Sequence, residues 1–167
     1  YLREEFQLHP MVLEQIIPPS WGTRVEQFAS TLFLVLFLPV YSKERKETRP
    51  RELNIIAGKD FLITNHYNSV LPLKALFDEC NLYEDRKEEY MGKGIALLLH
   101  RVLHNVWEDI SKKVRKIDRK LTIIEESTFE GKERAMLSEI SFAKADITNF
   151  WRIIRPQKGV LTSLRDD

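Results

Sequence analysis

His100, His104 and Glu108 come closest in this chain to a metal-binding set. At i, i+4 and i+8 of a helix they share one face. Imidazole with carboxylate suits zinc, cobalt or nickel better than magnesium. Two histidines at this spacing can chelate one ion, with Glu108 or a neighbouring subunit completing the set. The plainer alternative is a mixed polar stripe at a helix or subunit contact, because a helical pair falls well short of a closed tetrahedral site. His9 and His66 have no companion in sequence, and His9, beside Pro10, reads as a capping or packing residue.

A second candidate is the basic run Lys112, Lys113, Arg115, Lys116, Arg119 and Lys120, opposed only by Asp118. Such a run can meet anionic lipid or nucleic acid. The more ordinary reading is a solvated helix face paired to Glu125, Glu126, Glu130 and Glu133 across a helical hairpin. No aromatic residues are interleaved with the charges and the net charge is only +1, so no nucleic-acid partner is expected. Trp107, Phe150 and Trp151 read as packing residues, or as anchors of a subunit contact. Cys80 stands alone, which rules out an internal disulfide and fits a buried, inert thiol in a reducing compartment. There is no Walker loop, Rossmann fingerprint, nucleophile elbow or zinc-protease helix. With no nucleophile–base set either, the chain is not expected to be an enzyme.

The elements that must position these groups follow from hydropathy. With 167 residues, 43% hydrophobic and 31% charged, the chain can build one domain, or one domain with a helical appendage. Residues 1–17 have helical spacing, restarted at Pro10 and stopped at Pro18-Pro19. Arg24 to Tyr41 reads as extended, with the near-continuous apolar run of a strand buried on both faces. Ser42 to Arg51 is polar and reads as exposed loop. Leu53–Ile56 and Phe61–Thr64 flank Gly58-Lys59, a hairpin signal resting on the positive φ that glycine permits. Val70 to Cys80 predicts a short helix, and Leu82 to Tyr90 a charged linker.

After Gly92 the pattern changes. Met91 to Glu126 carries apolar residues at helical spacing, and from Ile110 through Val114, Ile117, Leu121 and Ile124 the steps alternate four and three. Gly131 breaks this pattern. Met136, Ile140, Ala143, Ile147, Phe150 and Ile154 repeat it, which predicts an antiparallel helical hairpin. Pro156 ends or kinks the second helix, and Val160, Leu161 and Leu164 open a third. The expected class is α+β: a mixed sheet packed with short helices over residues 1–90, then over 91–167 a long antiparallel hairpin and the beginning of a stalk helix. The longest apolar run, Ala29 to Val40, is too short and too interrupted to span a bilayer, which takes about 20 residues. A first residue other than methionine reads as a fragment of something longer.

Several stretches, in order, resemble the cytoplasmic domain of the CorA-type magnesium transport proteins. They are His9-Pro10-Met11-Val12-Leu13-Glu14, Arg24-Val25-Glu26, the run Leu32 to Leu36, the strand–turn–strand from Glu52 to His66, Ala96 to Leu103, and Arg155 to Leu164. The resemblance implies helices on a mixed sheet, long helices leading to a membrane, and a homopentamer on the cytoplasmic side of the cell membrane. It also implies Mg2+ bound between subunits to hold a pore closed, with Co2+ or Zn2+ as other possible ions. Glu14, Gln15, His104, Glu108 and Asp109 are the nearest matches to the family's regulatory cation region. Gln15 stands where the family has the second acid of a pair, His104 where its helix motif usually has Asp, and Gly159 where it tends to have Glu. Magnesium prefers hard, charged oxygens, so these departures lean the set away from it. Two rival readings follow: the zinc-transporting ZntB-like branch, favoured by the His100–His104–Glu108 face, and a soluble helical scaffold that binds partner helices and no ion.

Overall fold

The computed structural model describes residues 2–17, 19–67, 70–129 and 133–166. Its centre is a four-stranded sheet in the order β1-β2-β3-β4: β1 (Arg24–Phe28), β2 (Thr31–Ser42), β3 (Glu47–Ala57) and β4 (Leu62–Asn65). Alternation along β2 and β3 sends Leu34, Leu36, Leu38, Leu53 and Ile55 to one side, and Phe33, Val35 and Ile56 to the other. Both sides are covered, which is why β2 reads as a continuous apolar run.

On the second side lie two short helices, α1 (Leu2–Phe6) and α2 (Pro10–Gln15), which seal Phe33, Val35 and Ile56 beneath Leu8 and Val12. Pro10 occupies the first turn of α2, where its missing N–H costs nothing, and His9 Nδ1 accepts from the Met11 N–H at 3.3 Å. His9 is thus a cap, as its position beside Pro10 suggests. The end of α2 is tied to the sheet by two amides: Asn54 and Asn65, cross-strand partners, both donate from Nδ2 to the Ile16 carbonyl, at 3.4 and 2.8 Å.

The larger layer holds α3 (Leu71–Leu82), α4 (Glu84–Met91), α5 (Ile95–Phe129), α6 (Glu133–Ile154) and α7 (Gln157–Asp166). Helix α7 crosses β1 and β2, α6 crosses β2 and β3, and α5 runs beside β4. Val102, Val106, Ile110, Phe150 and Val160 from these helices join the Leu34–Leu36–Leu38 side of the sheet in one core. At the α6–α7 corner, Gln157 is fully buried and donates from Nε2 to the carbonyls of Phe37 and Ile153, so a single amide links both helices to β2. Its Oε1 has no partner among the described residues.

The α+β class and the helical hairpin are as the periodicity implies, and five details differ. The sheet is antiparallel at every described pairing, where a mixed one was expected; short turns join consecutive strands, so no parallel crossover arises. Arg24 to Tyr41 is two strands, because Phe28 pairs with Thr31 across Ala29-Ser30, with Ala29 at φ 52°. Residues 47–51 are strand: Glu47 to Arg51 pair with Ser42 to Leu38, but of these five only Thr48 is buried, so no apolar residue announces the strand. Residues 84–91 are helix, held by Glu84–Lys87 and Arg86–Glu89 pairs at 3.1 and 2.7 Å and anchored by Tyr90 alone, so no apolar stripe marks them. At the β3–β4 turn Gly58 is required by close approach: a Cβ there would lie 2.4 Å from the Phe61 ring. Positive φ is not the reason. Pro18, Glu130 and Gly131 lie outside the described residues, as does the side chain of Glu133.

Candidate cation-binding surface

The sheet separates the two halves of the expected cation set. Glu14 and Gln15 end α2 on one side, whereas His100, His104, Glu108 and Asp109 lie on α5 on the other. Glu14 is exposed and engages no partner among the described residues. The Gln15 Oε1 accepts from Arg24 Nη2 at 3.1 Å. Arg24 also pairs through Nε with Glu26 at 2.8 Å and covers the Phe33 ring at 5.7 Å. The amide that replaces an acid here is therefore matched to an arginine inside the same protomer.

On α5, Val102, Val106 and Ile110 turn one stripe into the core, and this leaves His100, His104 and Glu108 exposed along another. The imidazoles are nearly parallel, 13° apart with centroids at 6.2 Å. Glu108 makes no side-chain ion pair or hydrogen bond among the described residues. Asp109 is not part of this face. Its Oδ2 lies 2.6 Å from Lys113 Nζ, which also donates to the Pro39 carbonyl at 2.9 Å and so fastens α5 to β2. The i, i+4 spacing of Asp109 and Lys113 was a readable signal for that pair. Nothing local announced the Pro39 carbonyl, which is free because Pro39 lies beyond the end of β1.

Among the described residues no three His, Cys, Asp or Glu side chains converge on a point. A regulatory Mg2+ does not fit this donor set within one protomer: Gln15 and Asp109 are already matched to cations, and the free carboxylates Glu14 and Glu108 are divided by the sheet. Of the expected set, the groups left unpaired on α5 among the described residues are two imidazoles and one carboxylate.

Among the described residues three titratable groups are shifted, and all are structural; Arg86 is raised, first by its hydrogen bond to Glu89. Burial pushes the Cys80 thiol above its ordinary value, Glu79 adds to the shift, and Lys87 offsets part of it. Such a thiol is inert at neutral pH. Tyr90 is also raised, first by burial and then by Glu79; its hydroxyl donates to Glu79 Oε1 at 3.3 Å beneath the Arg101 guanidinium.

The basic run is split by the helix. Lys113 and Lys120 are paired, Lys120 with Glu139 on α6 at 3.1 Å. The acid of this cross-hairpin pair is Glu139 and none of the expected partners: Glu125 and Glu126 lie on α5 itself, and Glu130 and the side chain of Glu133 lie outside the described residues.

Among the described residues, the unpaired carboxylates and imidazoles of the expected cation set lie on the outer surfaces of a three-layer domain with a projecting helical hairpin. The sequence matches the profile described as CorA-like Mg2+ transporter protein over residues 1–167, and the chain belongs to that family of transporters. It is 25% identical over 170 aligned positions to the cobalt/magnesium transport protein CorA of Thermotoga maritima, covering 98% of this chain and 46% of that protein. The chain thus spans about half the length of that relative. The fold is that of the soluble domain of CorA from Methanocaldococcus jannaschii, with a TM-score of 0.79 at 16% identity over 96% of this chain and 62% of that one. It is also similar to full-length CmaX, with a TM-score of 0.75 at 13% identity over 98% and 49% of the two chains. Among the described residues no helix is long and apolar enough to cross a membrane.

Proposed function

We propose that this chain is the cytoplasmic, cation-responsive domain of a CorA-like divalent metal ion transporter, and that it works as one member of a homopentamer. In this reading residues 1–90 supply the sheet-bearing part and 91–167 the hairpin and the start of a stalk that continues towards membrane helices. Divalent cations, Mg2+ first and Co2+ next, are both the transported ions and the regulators. The observation that carries the reading is the position of the free carboxylates: Glu14 and Glu108 sit on outer surfaces of opposite layers. A cation can therefore gather these two carboxylates only where two copies meet, and there it would offset their repulsion and favour the closed ring. The test is the melting temperature and sedimentation of the 167-residue chain with and without millimolar MgCl2. A magnesium-dependent shift that disappears in Glu14→Gln with Glu108→Gln is expected. No shift with magnesium or cobalt removes regulation from this domain.

The parallel imidazoles of His100 and His104 favour a second reading, the zinc-transporting branch. Zinc binding that survives excess magnesium and is lost in His100→Ala with His104→Ala would support it. Zinc indifference to those changes would end it.

A further inference from the structure

A cleft opens between the outer ends of β2 and β3, the middle of α5, and Phe150 of α6. Its volume is about 670 Å3, within the range of small-molecule sites, roughly 300–1,000 Å3. Five cationic side chains line it, Lys43, Arg51, Lys113, Lys116 and Lys120, against the carboxylates Asp109 and Asp146. Both carboxylates are engaged, Asp109 by Lys113 at 2.6 Å and Asp146 by the Thr48 N–H at 2.8 Å. Lys120 is held by Glu139. Among the described residues Lys43, Arg51 and Lys116 have no ion pair, and all three are exposed at the cleft.

Such a concentration of one sign is not explained by composition, since the chain carries only +1. A concave, low-dielectric wall strengthens the field of these charges and selects anions. The wall itself is apolar, formed by Leu38, Val40, Val70, Ile117 and Phe150. A bare anion would use the charges and leave that wall wet.

We propose that the cleft binds a small phosphate-bearing molecule with an apolar or aromatic body. Its phosphates pair with Arg51, Lys116 and Lys43, and its body lies on Ile117 and Phe150. Arg51 projects from β3 opposite Leu38, on the same side of the sheet as Leu53, so its guanidinium can meet phosphate oxygens in a bidentate fork. The phosphate has two possible sources, a free nucleotide or an anionic lipid headgroup. The site is independent of Glu14, Glu108 and the histidines, and so stands or falls apart from the cation reading.

The experiment is calorimetric titration of the 167-residue chain in EDTA with ATP, with tripolyphosphate, and with short-chain phosphatidylinositol phosphate. Saturable binding of ATP or of the lipid, stronger than that of tripolyphosphate, is expected. The better of the two identifies the phosphate source. Arg51→Ala with Lys116→Ala should weaken that binding by about tenfold or more, since each removes a charge-assisted contact. Lys112→Ala with Arg115→Ala removes equal charge from α5 outside the cleft and should leave binding within about twofold. Absence of binding at millimolar ligand overturns the proposal, as does tripolyphosphate binding as tightly as ATP and the lipid. Equal losses in the two double variants would reduce it to unspecific charge attraction and overturn it too.

Discussion

The two ends of the α5–α6 hairpin carry one repeat and meet different surroundings. In the near half, Val102, Val106 and Ile110 of α5 and Phe150 and Ile153 of α6 are buried, because the sheet lies beneath them. In the far half, among the described residues, only Ile124 and Ala143 are buried, while Ile123, Leu137 and Phe129 are 62%, 65% and 85% exposed. Beyond the sheet each helix has just the other to pack on, so a single narrow seam is covered. Periodicity thus specifies the helix and its inward stripe. It does not specify how much of that stripe is dry, and the far half is left with apolar surface that the near half has spent on the core.

The sharpest way to break this comparison is to truncate matched residues. Ile110→Ala, in the sheet-backed half, should cost about 3 kcal/mol, within the usual range for a buried isoleucine. For a chain of this size that lowers the melting temperature by about 6–12 °C. Ile124→Ala should cost only about 1–2 kcal/mol, because the open seam can relax around the lost atoms. Equal losses in urea or thermal unfolding would mean the far half is as tightly packed as the near one. Alkaline pH should also strike the near half. Cys80 and Tyr90, both raised, pack there against α5, and their neutral forms belong to the folded state. Their contribution is full below about pH 8 and fades as pH rises through the ordinary thiol and phenol values of about 8.5 and 10 towards the higher folded ones. Melting temperature should therefore fall between about pH 8 and pH 11, and less so in Cys80→Ala with Tyr90→Phe; an unchanged slope would assign the fall to other groups. The smallest effect belongs to the far seam's ion pair. Lys120–Glu139 is exposed, and Lys120→Ala should change stability by no more than about 0.5 kcal/mol; a larger loss would show that charge, rather than Ile124, closes the far half.

Much of the architecture was legible before any coordinates. The four-and-three steps after Ile110 and again after Met136 mark α5 and α6, and Pro156 marks their corner with α7. Where the reading erred, the local signal was weak for a physical reason. Helix α4 buries only Tyr90, so there was no stripe to see. The β1–β2 turn uses Ala29 at positive φ, a conformation that sequence assigns to glycine or asparagine. The near end of β3 carries Arg49, Pro50 and Arg51, which look like loop until Val40, Pro39 and Leu38 are placed across from them.

The candidate site divides in the same way. Sequence alone determined that His100, His104 and Glu108 share a helix face, because helical geometry is local and needs only spacing. It determined the family as well, since ordered short motifs survive where overall identity is low. Only the tertiary structure decided which donors are free. Gln15 meets Arg24, and Lys113, neutralising Asp109, reaches a carbonyl that Pro39 leaves open. The sheet puts Glu14 and Glu108 on opposite sides, and Lys43, Arg51 and Lys116, far apart in the chain, come to one cleft. Those are contacts between elements distant in sequence, and their electrostatics depend on separations that no local spacing encodes.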